Sequence, residues 1–489
     1  MEDRRYKNLT LLHSNDMHGD FLAESVDDKL IGGVSLLSGY VNKVRREVPN
    51  TLYCIAGDMF RGSVIDSEYR GFSTIEIANM LSPDVATIGN HEIDYGISHL
   101  LLLEKCASFP IINANLYIKN NGVRLFRPYK IIEIDGMKIL FIGVLTEQVM
   151  DDARKEGLVA SFIDVDDAAK EIEKICDAFN ATDIDFTVLL THIGIDADRE
   201  LASKLSPECG VDIIIGGHSH TFMDEPEEIN NILIVQAGTG TDQIGRFDIV
   251  VDTENNCIDS YEWKAVPIDD AHCEKDERME KLITSLKKEV DVKYLRTLAH
   301  FNKVATHPHR NMTTQLGCLV ADMFKDALNV DLFILGSAMI KVKELGPVVT
   351  LEDLTRAYGS NDPLYELTVT GKQLRRMIEY FMAKEPWKEE EITYFQFSGD
   401  IKLVYSKAEH RLTTFELDGA PITDDRRIKV ATLKYYWVNL EKKLGITQSE
   451  LEANAAPRIV AASDRNLLDE YMSANGRFDV PDTDRFIVE

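Results

Sequence analysis

Up to about residue 266, short apolar runs alternate with amphipathic stretches, a pattern that leaves a chain little choice but strands layered with helices. The runs predict strands at Leu9–His13, Thr51–Ala56, Val85–Ile88, Lys138–Val144, Phe186–Leu190, Asp212–Ile215 and Ile232–Gln236. Between the first two, Val34, Leu37, Val41 and Val44 recur at steps of three and four, as a helix packed on a sheet requires. Asp166–Phe179 repeats that pattern through Ala169, Ile172, Cys176 and Phe179.

At 489 residues the chain exceeds a single core, since domains run to roughly 100–250 residues. Residues 274–297 are strongly charged, with Met279, Leu282, Ile283, Leu286 and Val290 on one helical face, which predicts a connecting helix. Beyond it a second region has its own expected strands at Leu332–Leu335, Leu364–Thr370, Ile401–Tyr405 and Ile428–Thr432. The expected fold is therefore α/β: a layered β-sheet domain over residues 1–270, a connecting helix over 271–297, and a second, smaller α/β domain over 298–489.

Charge narrows the partners. Lys+Arg 54 against Asp+Glu 82 gives a net charge of −28, which repels nucleic-acid polymers and anionic membrane surfaces. An acidic protein acting on small anions needs local positive charge, and bound metal ions supply it most simply. The seven cysteines are scattered and form no CxxC pair, so they read as reduced, small hydrophobes. The chain begins without the apolar stretch of a signal peptide, and no run approaches the ~18 apolar residues of a membrane span, so a cytoplasmic location is expected.

Nearly every expected strand of the first region ends in a metal-ligand type of residue. Leu9–His13 leads into Asp16 and His18, Thr51–Ala56 into Gly57-Asp58, Val85–Ile88 into Gly89-Asn90-His91, Phe186–Leu190 into His192, and Asp212–Ile215 into His218 and His220. Residues two apart in extended backbone leave on the same side, which makes Asp16/His18 and His218/His220 chelating pairs. A Gly-Asp or an Asp-x-His alone is only a turn signal; the argument rests on convergence, because ligands of an open α/β sheet gather at the carboxyl ends of its strands.

Asp16, His18, Asp58, Asn90, His192, His218 and His220 together are too many ligands for one tetrahedral zinc. Two divalent cations fit the set, with Asp58 as the bridge, Asp16, His18 and His220 on the first, and Asn90, His192 and His218 on the second. Such a pair, ~3.5–4 Å apart, can hold an attacking hydroxide while neutralising phosphoryl oxygens. Mixed imidazole, carboxylate and amide ligands suit Mn, Zn, Fe, Co or Ni and do not choose among them. His13, His99, His272, His300, His307 and His410 lack such a setting and receive no role.

On these motifs, Ser-Asn-Asp-Met-His-Gly, Gly-Asp, Gly-Asn-His-Glu-Ile-Asp-Tyr-Gly, Thr-His and Gly-Gly-His-Ser-His, the sequence resembles the calcineurin-like metallophosphoesterases, and within them the bacterial 5′-nucleotidase family. The resemblance implies a metallophosphoesterase domain followed by a 5′-nucleotidase C-terminal domain that binds the nucleoside. It also implies a catalytic dyad, His91 and Asp94, with Asn90 facing the phosphoryl group as well.

In the second region it implies substrate contacts from Arg310, Lys341, Tyr358 and Tyr435. Two departures stand out. Gly336-Ser337-Ala338-Met339-Ile340-Lys341 replaces the usual Asn-Gly-Gly-Gly-Ile-Arg, so a forked guanidinium becomes an ammonium. Val438-Asn439-Leu440-Glu441 replaces the Gly-Gly-Asp-Gly that commonly follows the second aromatic.

The expected activity is hydrolysis of nucleoside 5′-monophosphates, small phosphorylated substrates, by attack of a metal-bridging hydroxide. Nucleotide-sugar or 2′,3′-cyclic nucleotide phosphodiesterase activity is the first alternative. A non-catalytic nucleotide-binding regulatory protein is the second.

Overall fold

The computed structural model describes residues 5–27, 29–118, 122–146, 160–162, 164–179, 184–358, 360–388 and 393–489. The chain divides into two compact units, Met1–Val290 and Asp291–Glu489.

In the first unit the expected strands form within three residues of their predicted bounds, but they belong to two sheets. Tyr6–Ser14, Thr51–Ala56, Val85–Thr87 and Ile111–Ile112 are parallel neighbours, and Gln243–Asp252 followed by Cys257–Pro267 extends the other side of Tyr6–Ser14 antiparallel. The second sheet sets Met137–Leu145, Phe186–His192, Ile213–Ile215 and Ile232–Val235 parallel, with Tyr129–Ile134 and Glu227–Ile229 as antiparallel edges.

Side-chain alternation assigns the faces. Leu9, Leu11, Leu52 and Cys54 of one sheet are buried together with Ile139, Phe141, Val188 and Ile213 of the other. The intervening residues Leu140, Ile142, Leu189 and Ile214 pack outward with Ala169, Ile172 and Leu201 of the helices Val165–Ala178 and Ile195–Lys204. Burial on both faces explains why these strands read as continuous apolar runs rather than alternating ones. The helix Val34–Glu47 buries Val34, Leu37, Val41 and Val44, the stripe its spacing predicts.

The second unit holds a five-stranded sheet in the order Phe395–Phe397, Leu332–Gly336, Arg427–Leu433, Leu364–Thr370 and Arg458–Ala461. It also holds a four-stranded sheet, Ala420–Pro421, Arg411–Leu417, Ile401–Ser406 and Phe486–Val488. Its helix Gly371–Met382 opens on a reciprocal cap in which Thr370 accepts the Gln373 N–H and Gln373 accepts the Thr370 N–H, satisfying two end donors. The helix Glu277–Tyr294 crosses the boundary between the units and buries Met279, Ile283 and Val290. Among the described residues no helix is long and apolar enough to cross a membrane.

Candidate metal centre

The five strand tips singled out by sequence meet at one place, and the backbone is bent to make them do so. Asp16, His18, Asp58, His218 and His220 have φ of 50°, 48°, 50°, 81° and 53°. A left-handed conformation costs a non-glycine residue ~1–2 kcal/mol, and its concentration at one site marks a constraint that the surroundings enforce. Glycines next to the ligands allow the close approach. A Cβ on Gly57 would lie 2.6 Å from His192 Nδ1, one on Gly89 2.2 Å from Asp58 Oδ1, and one on Gly217 2.7 Å from the Ala56 carbonyl.

Three overlapping groups place ligand atoms within 4.8 Å of one another: Asp16, His18 and His220; Asp16, Asp58 and His192; and His18, Asp58 and His91. His18 Nε2 lies 3.8 Å from both Asp16 Oδ1 and Asp58 Oδ2, and His220 Nε2 lies 3.4 Å from Asp16 Oδ1. His18 and His220 bring their Nε2 atoms to 3.0 Å. Asn90 Oδ1 is 2.8 Å from His218 Nδ1, and the His218 backbone N–H donates to Asp16. The rings of His218 and His192 meet edge to face at 5.3 Å. All seven expected ligands thus fall in one connected cluster.

His192 tests whether this cluster suits a metal. Its Nδ1–H donates to the Ala56 carbonyl at 2.8 Å, a tautomer that leaves Nε2 a bare lone pair. That Nε2 is buried and makes no hydrogen bond, although Asp58 Oδ2 is 3.1 Å away and Asp16 Oδ1 3.8 Å. A lone pair aimed at two carboxylates repels them unless a cation lies between. A proton can serve as that cation: burial lowers the basicity of His192, but bonding to Asp58 and the charges of Asp58 and Asp16 outweigh it and raise its pKa to about 9, and a divalent ion would take the same place. The donor set therefore fits divalent transition metals, with an orphaned nitrogen waiting for one.

His91 stands at the edge of the cluster. Its Nδ1 is 2.7 Å from Asp94 Oδ2, and this hydrogen bond, more than burial opposes it, raises its pKa. Burial pushes the Asp94 carboxyl up, but His91 and Arg61 outweigh that and hold it low.

Glu92 and Asp198 are among the residues that escaped the sequence reading. Glu92 is 1% exposed and accepts the backbone N–H groups of Asp58, Met59 and Gly89, so one carboxylate pins two ligand-bearing loops. Burial and the nearby Asp58 push its pKa up to about 7. Asp198, wholly buried behind His192, accepts from Thr191 Oγ1 at 2.6 Å and Gln236 Nε2 at 3.2 Å. Both are acids adjoining or trailing a ligand motif, and nothing in their spacing marks them, because their partners are backbone amides and residues distant in sequence.

The expected substrate residues of the second unit do not gather in the same way. Arg310 and Lys341 are exposed, and Lys341 Nζ donates to the Ala338 carbonyl at 2.9 Å. Tyr435 is 45% exposed. Tyr358 departs from the expectation of an open stacking face: it is 1% exposed, with its ring 5.9 Å from that of Phe324. The reason is local. Tyr358 ends the helix Leu351–Ala357 in extended backbone and pairs with Ile340 in an isolated bridge, which turns the ring into the core. The same bridge and the Lys341 N–H to Ala357 carbonyl bond set Lys341 beside Tyr358 in backbone, but no hydrogen bond or ring contact joins these four side chains to one another.

Comparison with known proteins agrees with the geometry. Residues 9–222 match the calcineurin-like phosphoesterase family, and residues 293–441 match the 5′-nucleotidase C-terminal domain. The trifunctional nucleotide phosphoesterase protein YfkN of Bacillus subtilis (strain 168) is 27% identical over 418 residues, 76% of this chain and 27% of that protein. The 5′-nucleotidase of Homo sapiens is 31% identical over 227 residues, 44% of this chain and 38% of that protein. The chain spans roughly a quarter to a half of the length of such relatives. Among solved structures, a 5′-nucleotidase precursor from Thermus thermophilus shares the fold over 99% of both chains, with a TM-score of 0.63 at 20% identity. The chain therefore carries a calcineurin-like phosphoesterase domain followed by a 5′-nucleotidase C-terminal domain.

Proposed function

We propose that the protein is a two-metal phosphoester hydrolase whose substrates are small nucleotides, nucleoside 5′-monophosphates first among them. The observation that carries this reading is the buried, unbonded His192 Nε2 facing Asp58 and Asp16 at the meeting point of five strand tips. The substrate class rests on the names of the relatives, 5′-nucleotidase and nucleotide phosphoesterase.

Asp16, His18 and His220 would hold one cation, Asn90, His192 and His218 the other, and Asp58, which belongs to two of the three ligand groups, would join them. Bound there, the cations would supply Lewis-acid chemistry, making water acidic and neutralising phosphoryl oxygens. The chain's own residues do the rest. His91 gives its Nδ1–H to Asp94, whose carboxylate favours the imidazolium, so its second N–H can stabilise charge on the phosphoryl group or pass to the leaving alkoxide, which leaves a neutral imidazole still held by Asp94. Asn90 is positioned by the 2.8 Å contact of its Oδ1 with His218 Nδ1. Glu92 holds the Asp58 and Gly89 backbone in place, which keeps both loops in register before substrate arrives. On the second unit, Arg310, Lys341 and Tyr435 are exposed and available to the nucleoside portion; Tyr358 is not.

The test is hydrolysis of p-nitrophenyl phosphate and of a nucleoside monophosphate panel, by protein stripped with chelator and reloaded with manganese. Metal-dependent turnover, with adenosine or another nucleoside released from its 5′-monophosphate, is the expected result. Two bound metals without turnover of any phosphoester would instead favour a nucleotide-binding regulatory protein.

A further inference from the structure

We propose that Arg61 is a specificity-determining residue that selects doubly charged phosphomonoesters over singly charged diesters. The proposal rests on the reading of this site as a phosphoester hydrolase and names its substrate class.

The loop from Asp58 to Ser63 fixes the backbone of Arg61 firmly. Its φ is 64°, and its N–H donates at 3.0 Å to Asp66, a wholly buried carboxylate that also accepts from the Tyr95 hydroxyl at 2.8 Å and from Thr74. The next residue, Gly62, lies so close to ligand His18 that a Cβ would sit 2.0 Å from the His18 carbonyl oxygen. The residue is therefore anchored against the metal cluster at its backbone, while its side chain remains 57% exposed.

That side chain leaves most of its donors unused. Arg485 meets the Asp322 carboxylate with two parallel N–H groups, at 2.6 and 3.0 Å. Arg61 instead gives one terminal N–H to Asp94 Oδ2 at 2.5 Å, the same oxygen that takes His91 Nδ1 at 2.7 Å. Its other N–H groups have no partner among the described residues. They stand beside the imidazole that faces the ligand cluster, as an open set of donors on a fixed cation.

Charge decides what such a group favours. The site is crowded with Asp16, Asp58, Glu92 and Asp94, and a phosphomonoester adds about two negative charges near neutral pH where a diester adds one. An extra cation next to His91 offsets the larger charge more than the smaller.

The test compares kcat/KM for p-nitrophenyl phosphate and bis-p-nitrophenyl phosphate in the manganese-loaded protein and in its Arg61→Gln and Arg61→Lys variants. The monoester-to-diester ratio is expected to fall about tenfold in Arg61→Gln and by less in Arg61→Lys. Inhibition by inorganic phosphate should weaken in the same order. Equal losses on both esters would show that Arg61 acts only through Asp94 and would overturn the proposal, as would an unchanged ratio. Failure of the underlying reading looks different: the unaltered protein would then cleave neither ester, and the proposal would fall with it.

Discussion

The two units present their functional residues in opposite ways. In the first, the seven expected ligands sit at strand tips, five of them bent into left-handed backbone, and come within a few ångströms of one another. In the second, Arg310, Lys341 and Tyr435 are exposed and mutually unlinked, while Tyr358 has joined the core. A metal cage tolerates only a few residue types at fixed geometry, so its pattern can be read from residue identity and spacing. Recognition of a small organic group can be built from many side chains, and of the four positions expected to do so here one is packed in the core.

The largest expected effect tests the cage side of this contrast. Asp58→Ala removes the carboxylate shared between ligand groups and should lower turnover of p-nitrophenyl phosphate by at least ~10³-fold, equivalent to ~4 kcal/mol of transition-state stabilisation. Steady-state kinetics with saturating manganese would check it; a loss below tenfold would break the account of Asp58.

Tyr358→Ala probes the other side. As a fully buried aromatic, Tyr358 should cost about 3–5 kcal/mol of stability when truncated, read in denaturant unfolding. A stable variant with only a raised KM would restore it to the binding surface and erase the contrast.

Glu92→Gln should weaken manganese binding by ~10–100-fold, because its amide group would face backbone N–H donors that the carboxylate now accepts. Calorimetric titration measures this directly, and an unchanged affinity would reduce Glu92 to a scaffold acid. Lys341→Ala should raise KM for nucleoside monophosphates about fivefold more than for p-nitrophenyl phosphate, on the scale of one charge-assisted hydrogen bond. Equal changes on the two substrates would remove Lys341 from the nucleoside site.

The smallest effect concerns pH. Burial raises the Asp212 carboxyl from 3.8 to about 8, against the opposing hydrogen bond from the Thr187 N–H. Between those values the folded chain holds a proton that the unfolded chain has released. The stability this confers is full below about pH 4 and is lost as pH rises through 8. Asp212→Asn keeps an acceptor for Thr187 and should raise Tm by a few degrees, ~3 °C, at pH 8 but not at pH 4, measured by thermal unfolding.

Much of the first unit was legible because strands buried on both faces appear as apolar runs, and because the residues that end those runs are chemically restricted. The runs do not say which strands are neighbours, so the partition into two sheets emerged only in three dimensions. The hairpin of Gln243–Asp252 and Cys257–Pro267 left no such run: its outer strand is largely exposed, with polar residues such as Asp259, Ser260 and Glu262 throughout. Glu92 and Arg61 stayed hidden for a different reason. Their partners are the backbone amides of another loop and an acid thirty-three residues away, and neither relation has a spacing that a sequence displays. The His91–Asp94 pair came from resemblance, and the 2.7 Å contact between their side chains gives that pairing a geometric basis.

The central claim is that these tips hold two cations joined by one carboxylate. Metal analysis of manganese-reconstituted protein, together with anomalous scattering from its crystals, addresses it most directly. The account predicts two manganese ions per chain, ~3.5–4 Å apart with Asp58 between them. A single ion, or two ions lacking a common carboxylate, would contradict it.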